Sequence, residues 1–105
     1  MTSFADRERS FEAQFARDAE LQFRVMARRD KLLGLWAAEK RELGVAEAEA
    51  YAKSVVQADF EEAGDEDVIR KVVGDLAAQG ISEHDVRRAL AGFAVEARRQ
   101  IMEAL

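Results

Sequence analysis

Apolar residues recur along this chain in steps of three and four, with hardly a run of strict alternation. That is the period of an α-helix and not of a strand. The first stretch, Met1–Ala19 (MTSFADRERSFEAQFARDA), sets Phe4, Phe11 and Phe15 seven and four residues apart among charged neighbours. At about 100° per residue the three rings project along one stripe. A second stripe follows: Leu21, Val25, Leu32 and Trp36, at steps of four, seven and four. In one continuous helix it would lie roughly 90° around from the first. An aromatic stripe is most often the face a helix buries in its own core. Two apolar faces, however, point to two surfaces to meet, one in the chain's own core and the other on a partner protein.

The first helical pattern runs from about Ser3 to Leu43, which is long for a globular helix. A break or a disordered leader is therefore expected near Asp18 to Gln22, where the stripes change over. Met1–Ala19 has no evident intramolecular partner, and an isolated helix of that length is marginal in water. Gly44, after Lys40 and Arg41, reads as the left-handed cap of the first helix. A second helix is expected over Val45–Ala63, with Ala48, Tyr51, Ala52, Val55, Val56 and Phe60 on its apolar face, ending at Gly64. Asp65 reads as the N-cap of a third helix, with Glu66 and Asp67 in its first turn. That helix carries Val68, Ile69, Val72, Val73 and Leu76 and stops at Gly80. Ser82 and Asp85 form a capping box for a fourth, which carries Val86, Leu90, Phe93, Ala97, Ile101 and Leu105. Short connections make successive helices antiparallel neighbours. The expectation is an all-α four-helix bundle with a long first helix. Residues 1–19 form a protruding or partly disordered N-terminal segment, and residues 20–105 form the bundle.

Composition sharpens this picture. The chain has 105 residues, enough for one domain, and no proline. Its net charge of −5 argues against a nucleic-acid partner. Charge is uneven: Arg24, Arg28, Arg29, Lys31, Lys40 and Arg41 stand against Asp30 and Glu39, whereas Asp59 to Asp67 holds six acids and no base. These two regions either attract one another or are solvated faces. There is no cysteine, which excludes disulfide and thiolate chemistry. The N-terminus lacks the apolar core of a signal peptide, and no stretch is apolar enough to span a membrane. No membrane insertion is expected, and a reducing, cytoplasmic location is the default.

Little in the chain supports catalysis. The one histidine, His84, falls in a helix's first turn, where an exposed position is expected. One histidine and no cysteine make a soft-metal site improbable, and no metal or resident cofactor is expected. The acidic run Glu61–Asp67 lacks the ligand alternation and glycine placement of a calcium loop and is better read as helix-capping carboxylates. There is no glycine-rich phosphate loop, and Ser3, Ser10, Ser54 and Ser82 have no base to activate them except His84. The chain is not expected to be an enzyme. Trp36, at helical spacing from Leu32, reads as core.

Four segments carry a resemblance: Phe4-Ala5-Asp6-Arg7-Glu8-Arg9, Asp18-Ala19-Glu20-Leu21-Gln22-Phe23, the run Lys31-Leu32-Leu33-Gly34-Leu35-Trp36-Ala37-Ala38, and Asp59 through Val68. In this order they resemble the alphaproteobacterial zeta subunit of the F-type ATP synthase. After Leu76 the likeness is only a helical pattern. The resemblance implies a four-helix bundle and an inhibitor of ATP hydrolysis that leaves synthesis comparatively unblocked. It implies that the N-terminal segment inserts as a helix at a catalytic interface of the synthase head, towards the rotor subunits, while the bundle anchors outside. The mode is similar to that of the mitochondrial inhibitor protein, which differs in fold.

Carried onto this chain, the inhibitory segment is about Thr2 to Ala19. Phe4, Phe11 and Phe15 become apolar anchors, and Arg7, Arg9 and Arg17 pair with carboxylates of the partner. Asp6, Glu8 and Glu12 support the helix or its rim. The partner is the catalytic head of the membrane-bound ATP synthase, reached from the cytoplasm. The resemblance also implies adenine nucleotide as a ligand of some bundles in the family. Here that reading falls on Arg28 and Lys31 and gives the alternative function, a small-ligand-binding bundle without inhibitory activity.

Overall fold

The computed structural model describes residues 3–61 and 64–105. Five helices follow in order: α1 (Phe4–Arg17), α2 (Ala19–Lys40), α3 (Val45–Glu61), α4 (Glu66–Asp75) and α5 (Glu83–Ala104), with a 3-10 turn at Ala77–Gln79 before α5. Among the described residues there is no strand. The architecture is all-α, with one helix more than the four expected.

The extra helix arises because the expected long first helix is two. Asp18 leaves the helical region at φ −113° and ψ 102°. Its carboxylate accepts the Leu21 N–H at 3.1 Å and so caps α2, and the Gln22 side-chain Nε2 donates to the Phe15 carbonyl at 2.7 Å. Donors at the start of α2 and an acceptor at the end of α1 are satisfied within one corner, so the break leaves few orphan groups.

α2 is the central element, packed against both α3 and α5. The main core draws Leu33, Ala37 and Ala38 from α2, Tyr51 and Val55 from α3, Val68, Ile69 and Val72 from α4, Leu76 beyond it, and Val86 and Leu90 from α5. Trp36 is only partly buried and packs against this core's edge, with the Lys40 ammonium 5.9 Å from its ring centroid.

Several local expectations are corrected. The left-handed residue after α2 is Glu42, at φ 59°, and not Gly44. Glu42 N–H bonds the Glu39 carbonyl and Leu43 N–H the Ala38 carbonyl, both at 3.0 Å, which is the Schellman pattern completed two residues early. It places Leu43 against the core. Asp65 does not cap α4; its carboxylate pairs with Arg29 at 3.0 Å. α4 ends at Asp75, because Leu76, at φ −103° and ψ 7°, turns its fully buried side chain into the core, and Gly80 (φ 72°) closes the 3-10 turn. Phe60 is not in the buried stripe of α3: it is 42 % exposed and stacks on Phe23 at 4.5 Å between centroids. Asp59 takes the buried position instead, on the 3.6-residue phase of Tyr51, Ala52 and Val55. Leu105 is exposed beyond the last turn of α5. The capping box is present as expected, with Asp85 N–H on Ser82 Oγ at 3.1 Å and Ser82 N–H on Asp85 Oδ2 at 3.3 Å. The expected extension of the second helix over residues 62 and 63 lies outside the described residues, as does Thr2.

Candidate functional site

The N-terminal helix starts on a cap of its own. Ser3 Oγ accepts the Asp6 N–H at 3.1 Å, and Asp6 lies in the first turn, favourably placed against the helix dipole. Arg9 pairs with Asp6 one turn back; this bond and those from Ser3 hold the Asp6 carboxyl below its ordinary pKa. Arg17 lies in the last turn, where a cation faces the carbonyl end. The short sequence Ser3-Phe4-Ala5-Asp6 was the available signal for this cap.

The aromatic stripe of α1 divides into two parts. Phe11 is 4 % exposed, inside a second cluster with Leu21 and Val25 of α2 and Ala97, Ile101 and Met102 of α5; Phe15 and Leu32 pack on its edge. This overturns the expectation that the N-terminal segment lacks an intramolecular partner. The break at Asp18 lets α1 reach α5, which a straight helix would carry it past. Phe11 and Phe15 lie 6.0 Å apart, and the Arg98 guanidinium of α5 sits 5.8 and 4.9 Å from their respective centroids. Arg98 also approaches Glu12 at 3.7 Å. Phe4, by contrast, is 58 % exposed, and Arg7, Arg9 and Arg17 face solvent. Between α1 and α5 runs a groove of about 360 Å³, walled by Phe4, Phe11, Val95 and Met102 with Glu8, Glu12, Arg98 and Arg99.

Arg28 and Lys31 are not brought to one site. Arg28 donates to the Gln100 side chain of α5 at 2.6 Å, whereas Lys31 lines a groove on the opposite flank with Lys53, Val56 and Phe60 of α3. Among the described residues no group of three or more histidines, cysteines or carboxylates is arranged to hold a metal ion. His84 is exposed, in the first turn of α5.

Two sets of residues were missed. The first is the receiving surface for α1 on α5: Arg98 and Met102, beside the expected Ala97 and Ile101. The second is a buried ionic cluster. Arg29, within the basic stretch, turns inward and meets Asp30 at 3.0 Å, Asp59 at 3.2 Å and Asp65 at 3.0 Å. Part of the attraction expected between the basic and acidic regions is realised here. Burial opposes the Arg29 charge, but Asp30 and Asp65 hold its pKa above the ordinary value. Asp30 and Asp59 each keep one buried carboxylate oxygen without a partner among the described residues, Asp30 Oδ2 and Asp59 Oδ1. Burial, then hydrogen bonding to Asp59, pushes the Asp30 pKa far above the carboxylate range, against the pull of Arg29. Their phase gave a signal: Asp30 and Asp59 fall on the core stripes of their own helices.

Fold and seam together define an all-helical protein in which a separately capped aromatic helix is docked on a helical scaffold. The model of the family described as ATPase inhibitor subunit zeta matches residues 1–100, and the chain belongs to that family. A protein whose structure was determined by solution NMR is similar, at 50 % identity and a TM-score of 0.74, over 81 % of this chain and 99 % of that one. No curated protein matches the chain. The family is one of ATPase inhibitor subunits, which supports an inhibitory role and binding to ATP synthase. Among the described residues no helix is long and apolar enough to cross a membrane.

Proposed function

We propose that this chain inhibits ATP hydrolysis by F-type ATP synthase by inserting α1, with the residues that flank it over 1–19, at a catalytic interface of the synthase head on the cytoplasmic side. The remainder, residues 20–105, is the mount. One observation supports this most: α1 is capped at its own start and set off from α2 by one non-helical residue, Asp18, so it can move as a unit. Phe4 and Arg7 on its outer part are exposed and available for first contact. In the bound state Phe4, Phe11 and Phe15 fill apolar pockets, and Arg7, Arg9 and Arg17 meet carboxylates of the partner. Ordering at the interface costs little for a helix that is already formed, which favours affinity.

The test is a titration of the isolated catalytic head with the full chain, reading ATP hydrolysis. Phe4→Ala and Arg7→Ala remove exposed side chains and leave the buried Phe11 and its contacts on α5 in place. Each is expected to raise the half-inhibitory concentration by about tenfold or more, as loss of an interface anchor does. An unaltered chain that fails to inhibit, or two variants that inhibit as well as it does, defeats the proposal.

A further inference from the structure

We propose that the C-terminal half of α5 is a latch that holds the inhibitory helix against its own scaffold and competes with the synthase head for it. The inference rests on the reading of α1 as the effector and concerns the regulation of that same segment. Of its three aromatic anchors, Phe11 is buried as the chain stands and Phe15 is partly covered. Phe11 is 4 % exposed among Ala97, Ile101 and Met102, and Arg98 lies over both rings while approaching Glu12. One face of a helix cannot occupy α5 and a partner's groove at once. Insertion therefore requires α1 to swing away about Asp18, taking Phe11 and Phe15 with it. Phe4 is 58 % exposed at the rim of the groove and Arg7 faces solvent, so a partner can engage the start of the helix before the rest is released.

The observed inhibitory strength is then the intrinsic affinity of α1 multiplied by the fraction of molecules with α1 undocked. A substitution on α5 that weakens docking strengthens inhibition, although it touches nothing that enters the synthase. Arg98 is the lever. Its side chain is 40 % exposed, so its loss leaves the apolar packing of the scaffold intact, and its contacts to α1 are the two rings and Glu12.

Two experiments test this on the full chain. Arg98→Ala is expected to lower the half-inhibitory concentration against the isolated head by about fivefold, the loss of a cation–aromatic contact with a weak ion pair. In the free protein it is also expected to speed amide hydrogen exchange throughout α1. Because the chain has no cysteine, the pair Glu12→Cys and Arg98→Cys is unique and can be joined by a cleavable bis-maleimide. The joined chain is expected to inhibit at least tenfold more weakly than the same variant before joining, and cleavage is expected to restore it. If Arg98→Ala leaves inhibition unchanged or weakens it, or if the joined chain inhibits undiminished, the latch is overturned while the proposed function stands. If the unaltered chain does not inhibit at all, the proposed function fails and the latch fails with it.

Discussion

Gly34 of α2 and Ala52 of α3 meet backbone to backbone: a Cβ built on Gly34 would stand 2.6 Å from Ala52 Cα and 3.1 Å from its Cβ. The obstacle is main chain, so no rotamer change relieves it. The run Lys31–Ala38 has its glycine where α2 and α3, the two most extensively packed helices, approach backbone to backbone. Gly34→Ala gains helix propensity but forces α2 and α3 apart. The expected net loss is about 1–3 kcal/mol, read as a lower denaturation midpoint in urea. Gly74→Ala is the contrast, since among the described residues nothing beyond its chain neighbours and its own helix backbone lies within 4 Å of the Cβ it would add; it is expected to be neutral or stabilising, by up to about 1 kcal/mol.

Asp30 and Asp59 dictate a pH dependence. Each has a buried oxygen with no partner among the described residues, and Arg29 is the cation they share with Asp65. A proton on Asp30 lets that carboxyl donate to Asp59. The Asp30 pKa is raised from 3.8 to about 8 in the folded chain, so folding takes up a proton between those values. Stability from this pair is complete at the acid end and declines as pH rises through that window. The melting temperature is expected to fall between about pH 4 and pH 8 and to level off above. Asp30→Asn carries a permanent donor to Asp59 and should flatten that slope, with a gain of about 1–3 kcal/mol at the alkaline end. An equally steep slope in the variant would exclude the proton on Asp30.

Glu42 holds a left-handed conformation that favours glycine, with φ at 59°. Glycine adopts it without a Cβ clash, while Glu42 forms no ion pair among the described residues. Glu42→Gly is expected to raise stability by about 0.5–1 kcal/mol, visible as a rise of a few degrees in thermal melting. Gly44→Ala, at a position without positive φ and with open space around it, should leave the turn unharmed.

A chain that begins at Glu20 loses more than an effector segment. It uncovers Leu21, Val25, Ala97, Ile101 and Met102 and removes the Asp18 cap of α2. The expected cost is about 2–4 kcal/mol from exposed apolar surface and the lost cap. The main core contains no residue of α1, so the shortened chain keeps its helical circular dichroism while melting earlier. Point substitutions at Phe4 and Arg7 are therefore the cleaner probes of inhibition.

Much of the local structure could be read directly from the residues. The apolar steps of Leu21, Val25, Val55, Val72, Val86 and Leu90 are helical, and each is buried; further along α2 the buried phase is Leu33 and Ala37, and the expected Leu32 and Trp36 are only partly buried. The Ser82–Asp85 box needs only its own four residues. The break near Asp18 follows from a change of apolar face and a residue able to cap. Glu42 escaped notice because a glycine two residues later is the commoner choice for a left-handed cap. Asp30 and Asp59 escaped it because each sits in a run of charge that resembles ordinary surface.

The sequence by itself determined that the chain is helical, roughly where its helices begin and end, and that its N-terminal stretch carries a phenylalanine stripe, because period, caps and breakers act over a few residues. Tertiary structure decided what those rings touch. Phe11 is covered by Ala97, Ile101 and Met102, which lie far along the chain and reach it only because α5 packs alongside α2. It also decided that Arg29 turns inward to three aspartates, two of them about thirty residues away or more. Such contacts depend on how helices return upon one another, and a local pattern of apolar and polar positions does not encode that return.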